Sequence, residues 1–209
     1  MKPFVYLLAV TLLPLGPMAH AGTEMKEAKE TVVETPFDKG KIELQVGVGA
    51  FTMFQPTQAN RPHFTDVDAA IRLGGMLYTP EGEGCLRGNL ELMLEAFGAG
   101  LVEGPGTGYA GATLVLRYNF VQPSAHWVPY FQIQAGGVYN DIYRNGEQRV
   151  FGRSVEFDLG AGFGLRYLCT DRLGLFVEVD YRHVSNAGLA DRNLGLNSAG
   201  GFAGVSYFY

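Results

Sequence analysis

The sequence predicts an all-β protein: an eight-stranded antiparallel transmembrane β-barrel with a polar, glycine-rich interior. Three observations carry this. From about residue 41 to the end, apolar residues recur with a period of two rather than the 3.6 of a helix. The alternate positions mix glycine with charges of both signs, and the chain holds 29 Gly in 209 residues, about twice ordinary usage. No run of about 18 uninterrupted apolar residues is present to form a membrane helix.

The N-terminus reads as an export signal. Lys2 supplies a positive charge, Phe4 to Leu15 an apolar core, and Ala19-His20-Ala21 a small-x-small cleavage site. Residues 1–21 are therefore expected to be a signal peptide cut before Gly22. Pro14 and Pro17 argue against a buried first helix. Residues 22–40 are polar and read as a leader; residues 41–209 form the barrel.

Each strand shows one apolar and one mixed face. Ile42, Leu44, Val46 and Val48 alternate with Glu43, Gln45, Gly47 and Gly49. Val67, Ala69, Ile71 and Leu73 oppose Asp68, Arg72 and Gly74, and Leu86 to Ala96 oppose Arg87, Asn89, Glu91 and Glu95. Ala110 to Tyr118 form the fourth segment, and Val128 to Tyr139 a weaker fifth with Phe131, Ile133 and Ala135 on one face. The sixth alternates from Val155 to Tyr167 against Glu156, Asp158, three glycines and Arg166. Leu175 to Tyr181 and Ala199 to Tyr209 complete the set.

With no helical pattern between them, neighbouring strands must pair antiparallel. Short links are expected at 79–85, 121–127 and 169–171, and longer loops at 52–66, 98–108, 140–153 and 186–196. Short turns at one end and long loops at the other describe an outer-membrane barrel, with the loops outside the cell. The apolar face then belongs in lipid. Inside, glycines relieve crowding and Arg87, Arg117 and Arg166 pair with Glu91, Glu156 and Asp158. A soluble lipocalin-like barrel would reverse the faces. It would not need so many glycines on a solvated surface, nor tyrosines at strand ends (Tyr78, Tyr118, Tyr139, Tyr167, Tyr181, Tyr207) that suit interfacial girdles.

Composition narrows the partners. With 16 basic and 21 acidic residues the net charge is −5, and no basic stripe points to nucleic acid. The absence of CxxC, HExxH and His clusters points to no metal and no cofactor. Cys85 and Cys169 are compatible with a disulfide in an exported protein, or with two free thiols. No feature of the pattern sets an oligomeric state.

One cluster suggests chemistry. His183 and Ser185 share a strand face, which by counting from Leu175 is the lipid-facing one. Polar side chains there are costly unless they are hydrogen-bonded or used. Their spacing lets an imidazole approach a hydroxyl, as a base approaches its nucleophile. On the last strand the same face, followed back from Tyr209, reaches Asn197, which places an amide beside His183 as its orienter. Asp191, in the same loop, is an alternative orienter. The competing interpretation is a non-enzymatic structural or adhesion barrel, with His183 and Ser185 merely sitting in the headgroup layer.

The segment His183-Val184-Ser185-Asn186-Ala187-Gly188-Leu189 resembles the active-site signature of the outer-membrane lipid A 3-O-deacylases, the PagL family. The strand layout and aromatic C-terminus are similar as well. The resemblance implies an outer-membrane esterase that removes the 3-position acyl chain of lipid A, with lipopolysaccharide and the membrane as its partners. Ser185 would be the nucleophile and His183 the base. Asn193 and the backbone around Gly188 would be oxyanion donors, supported by Asn186. The family's acid falls on Asn197, an amide that can hold a histidine tautomer but carries no charge to stabilise imidazolium.

Overall fold

A computed structural model describes residues 34–58 and 60–209. The expected signal peptide, and the leader as far as residue 33, lie outside the described residues.

Eight strands close into one antiparallel barrel, each paired with its sequence neighbours and β8 with β1. They are β1 (Ile42–Met53), β2 (Thr65–Met76), β3 (Asn89–Glu103), β4 (Gly108–Asn119), β5 (Trp127–Asn140), β6 (Val155–Leu168), β7 (Leu173–Ser185) and β8 (Leu196–Phe208). The period-two pattern resolves as read: Val46, Val48, Ile71, Leu94, Leu114, Phe163 and Val179 point outward, while Glu43, Gln45, Arg117, Arg166 and Glu178 are buried inside. An exposed apolar band of this kind is stable only against lipid. Aromatic pairs ring the end that carries both β1's start and β8's finish. Trp127 packs at a tilt against Tyr167 at 4.7 Å, and Tyr207 meets Tyr209 at 4.8 Å and Tyr118 meets Phe120 at 5.0 Å edge to face.

Two connections depart from expectation. The 98–108 segment is not a long loop. β3 runs on to Glu103, and a tight turn at 104–107 is closed by Leu101 N–H donating to Thr107 O at 2.9 Å. Asp141 braces this turn. Its carboxylate accepts from the Thr107 hydroxyl at 2.6 Å and from two backbone N–H groups, which hold it below the ordinary carboxylate range. Conversely, residues 77–88 form a broad turn with a short 3-10 segment at Gly84–Leu86, so β3 begins at Asn89 rather than Leu86.

The interior is an ion-pair lattice, because a charge in a water-poor barrel must be matched locally. Arg166 Nη2 lies 2.6 Å from Glu43, Arg117 Nη2 3.1 Å from Glu178, and Arg72 Nη1 2.7 Å from Glu178. Arg117 and Arg166 both stand over the Tyr130 ring, and a Cβ at Gly164 would collide with that ring. Nearer the other end, Arg182 pairs with Asp68 at 2.7 Å and reaches Asp158 at 3.9 Å. Three expected pairings are corrected, the first being that Asp158 has Arg182 beside it in place of Arg87, Arg117 or Arg166. Arg87 lies in the broad turn and donates to the Val121 carbonyl at 2.6 Å. Among the described residues Glu156 forms no ion pair with an arginine side chain; it accepts from Gly152 N–H, Arg153 N–H and Asn186 Nδ2.

Both ends of this lattice are sealed by apolar side chains. The last part of the leader turns in, with Phe37 buried against Met76, Val121, Val128 and Phe208. At the opposite end Phe64, Phe151, Ile142, Val150, Val184 and Leu196 form the lid. Cys85 and Cys169 are free and exposed in turns at the end that holds the chain terminus.

Candidate active site

β7 and β8 form the hairpin that carries the site. Their register sets His183 directly opposite Asn197 and Tyr181 opposite Ala199. Tyr181, His183 and Ser185 are alternate residues of β7 and so share the outer face, while Arg182 and Val184 point into the barrel. His183, Ser185 and Asn197 are each half-buried, at the rim where β7 ends.

The three side chains form one chain of hydrogen bonds. His183 Nδ1 lies 2.7 Å from Asn197 Oδ1, and His183 Nε2 lies 2.9 Å from Ser185 Oγ. An amide oxygen only accepts, so Nδ1 carries the ring proton. Nε2 is then the acceptor for the serine hydroxyl, the arrangement a Ser–His pair needs before it can react. Asp191 does not join this chain. Its side chain is exposed, its backbone oxygen accepts from Arg149 Nη2 at 3.1 Å, and Nδ1 is occupied by Asn197.

Beyond β7 the chain turns through Ala187 (φ 53°) and Gly188 (φ 83°), organised by one buried amide. Asn186 Oδ1 accepts from Gly188 N–H at 3.1 Å and from Ala190 N–H at 3.3 Å, and Asn186 Nδ2 donates to Arg192 O at 2.8 Å. Asn186 thereby fixes the turn that follows Ser185. The two expected oxyanion donors divide. Asn193 Oδ1 accepts from Asn186 N–H at 2.9 Å, which leaves its NH2 group to donate elsewhere. Gly188 N–H is already committed to Asn186.

Three further residues shape the site without a spacing signal of their own. Gln55 Oε1 accepts from Asn197 N–H at 2.8 Å, tying the first loop to β8. Gly195, at φ 68°, comes so close that a Cβ there would lie 3.2 Å from His183 Cε1. Arg192 clamps the neighbouring 141–154 loop, donating to the carbonyls of Tyr143 at 2.6 Å and Asn145 at 2.7 Å. Tyr181, read from the sequence as an interfacial tyrosine, also donates its hydroxyl to Asn197 Oδ1 at 2.6 Å.

Among solved structures, that of the outer-membrane enzyme PagL superimposes with a TM-score of 0.53 at 22% identity, covering 79% of this chain and 98% of that one. Neisserial surface protein A gives a TM-score of 0.55 at 12% identity, covering 82% of this chain and all of its own. At these identities the likeness shows the outer-membrane barrel fold. No curated protein sequence matches the chain. A family model, lipid A 3-O-deacylase (PagL), matches residues 76–206, more than half the chain. That span runs from the end of β2 into β8 and takes in His183, Ser185, Asn186, Asn193 and Asn197, and on it the chain belongs to the lipid A 3-O-deacylase (PagL) family.

Proposed function

We propose that this barrel is an esterase that removes the 3-position acyl chain of lipid A by Ser–His chemistry on its lipid-facing wall. The observation that supports this most is the continuous Ser185–His183–Asn197 hydrogen-bond chain at the rim of the apolar band. Ester substrate already lies in the outer leaflet and reaches the site laterally, so no cavity inside the barrel is required. The polar lattice inside serves to hold the wall.

Ser185 Oγ attacks the ester carbonyl while His183 Nε2 takes its proton. The carbonyl oxygen becomes an oxyanion, and the Asn193 NH2 group is the side-chain donor to it. Gly188 N–H joins only by exchanging Asn186 Oδ1 for the oxyanion. Collapse breaks the sugar–acyl C–O bond, transfers the proton from Nε2 to the departing sugar alkoxide and leaves the fatty acid esterified to Ser185. Water, deprotonated by the same nitrogen, then attacks the acyl carbon, and Nε2 returns the proton to Ser185 Oγ as the free acid leaves. Asn197 holds the ring but adds no negative charge, and that one feature favours the second interpretation, an inactive relative that keeps the barrel alone.

Mass spectrometry of lipid A incubated with the folded protein in mixed micelles tests the proposal. The expected product lacks one 3-linked acyl chain, which appears as free fatty acid. Unchanged lipid A, or loss of a chain from another position, contradicts it.

A further inference from the structure

The hydrogen bond between His183 and Asn197 could run in either of two senses, because an amide presents oxygen on one side and NH2 on the other. With oxygen toward the ring, Nδ1 carries the proton and Nε2 accepts from Ser185. With NH2 toward the ring, Nδ1 becomes the acceptor, the proton moves to Nε2, and Ser185 loses its base. A carboxylate has no such choice, since both its oxygens accept. A Ser–His pair that leans on asparagine therefore needs something to hold the amide the right way round.

Tyr181 is placed to do this. It lies two residues before His183 on the same face of β7, and its register partner Ala199 is two residues beyond Asn197. Its hydroxyl approaches within 2.6 Å the same Oδ1 that accepts from the imidazole. A phenol is a better donor than acceptor, because its oxygen lone pair is drawn into the ring. It therefore favours the amide oxygen over the amide NH2. The surroundings fix both partners: Asn197 is held through its backbone by Gln55 Oε1 at 2.8 Å and Phe54 N–H at 3.3 Å. The Phe54 ring packs 6.0 Å from that of Tyr181.

We propose that Tyr181 is a positioning residue that holds the Asn197 oxygen toward His183 and so keeps the imidazole in the Nδ1–H tautomer. The catalytic consequence rests on the Ser–His mechanism proposed above. The tautomer itself does not, and the test separates the two.

Nitrogen-15 NMR of labelled histidine, recorded on the resting protein in detergent micelles, reads the tautomer directly. Steady-state hydrolysis of lipid A reads its consequence. In the wild type His183 is expected as Nδ1–H; in Tyr181→Phe the Nε2–H form should become the major one. If the competent tautomer falls to about one-tenth, kcat falls about tenfold with KM little changed. In an Asn197→Glu background, where the side chain has no wrong orientation, the same substitution should cost at most about twofold. An unchanged histidine tautomer in Tyr181→Phe overturns the proposal. So does an equal loss of kcat in both backgrounds, which would make Tyr181 a wall for the acyl chain. If not even the wild type deacylates, the proposed function fails while the NMR result still decides the role of Tyr181.

Discussion

Inside the barrel, Arg117 and Arg166 are fully buried and share the carboxylates of Glu43 and Glu91, and Arg117 also reaches Glu178. On the outer face, at the other end of the barrel, His183, Ser185 and Asn197 are half-exposed and link uncharged hydrogen-bonding groups end to end. The contrast follows from what each face can tolerate. The interior is closed and gathers its arginines around shared carboxylates, so charge there meets opposite charge and the lattice gains rigidity. The outer wall faces lipid, where an unpaired charge is expensive, and a neutral chain can sit there with its hydroxyl still accessible. Damage to the first should therefore be read in stability and damage to the second in chemistry.

The largest expected effect belongs to the outer chain. Ser185→Ala should lower ester hydrolysis at least about a thousandfold, while its unfolding free energy in micelles stays within about 0.5 kcal/mol of wild type. A parallel loss of stability would erase the distinction between the two regions. Arg166→Met is the mirror experiment. It leaves Glu43 without its 2.6 Å partner and should destabilise the barrel by about 3–5 kcal/mol, measured as a shift in the urea midpoint of the heat-modifiable band. A midpoint unchanged by that substitution would show that the lattice is not what holds the wall.

Gly195→Ala sharpens the boundary between the two. The residue sits at φ 68°, where a side chain costs about 1–2 kcal/mol, and the new methyl would press on His183. A drop in kcat of about tenfold is expected, together with a small loss of stability. Smaller still is the effect of charge at the orienter. Asn197→Glu should raise deacylation a few-fold, because a carboxylate stabilises the imidazolium that forms in the transition state. Asp191→Asn should leave the rate within about twofold. If Asp191→Asn were the damaging change and Asn197→Glu silent, the orienter would have to be reassigned to Asp191.

The barrel was legible because a two-residue period in lipid is a direct record of which side chain faces which solvent, as β6 shows from Val155 to Tyr167. It failed where side chains fell silent. Gly98 and Gly100 point outward on β3 and carry no apolar mark, so the alternation that reveals the rest of the strand is silent over its extension to Glu103. Ion pairing was readable by face but not by partner. Arg72 of β2 meets Glu178 of β7, a contact that exists only once the barrel has closed. In the site, His183, Ser185 and Asn197 could be joined because hairpin register follows from counting along a face. The Tyr181 hydroxyl lay on the same face and was within reach of the same counting. Gln55 and Gly195 were not, because loop conformation brings them in.

The claim that this wall carries a working Ser–His pair is tested most directly by labelling the folded barrel with a serine-directed fluorophosphonate and mapping the adduct by peptide mass spectrometry. One adduct, on Ser185, is predicted for the wild type, with none in Ser185→Ala and little in His183→Ala, since the hydroxyl is reactive only while Nε2 accepts its proton. No adduct on the folded wild-type protein, or equal labelling with His183 removed, would contradict it.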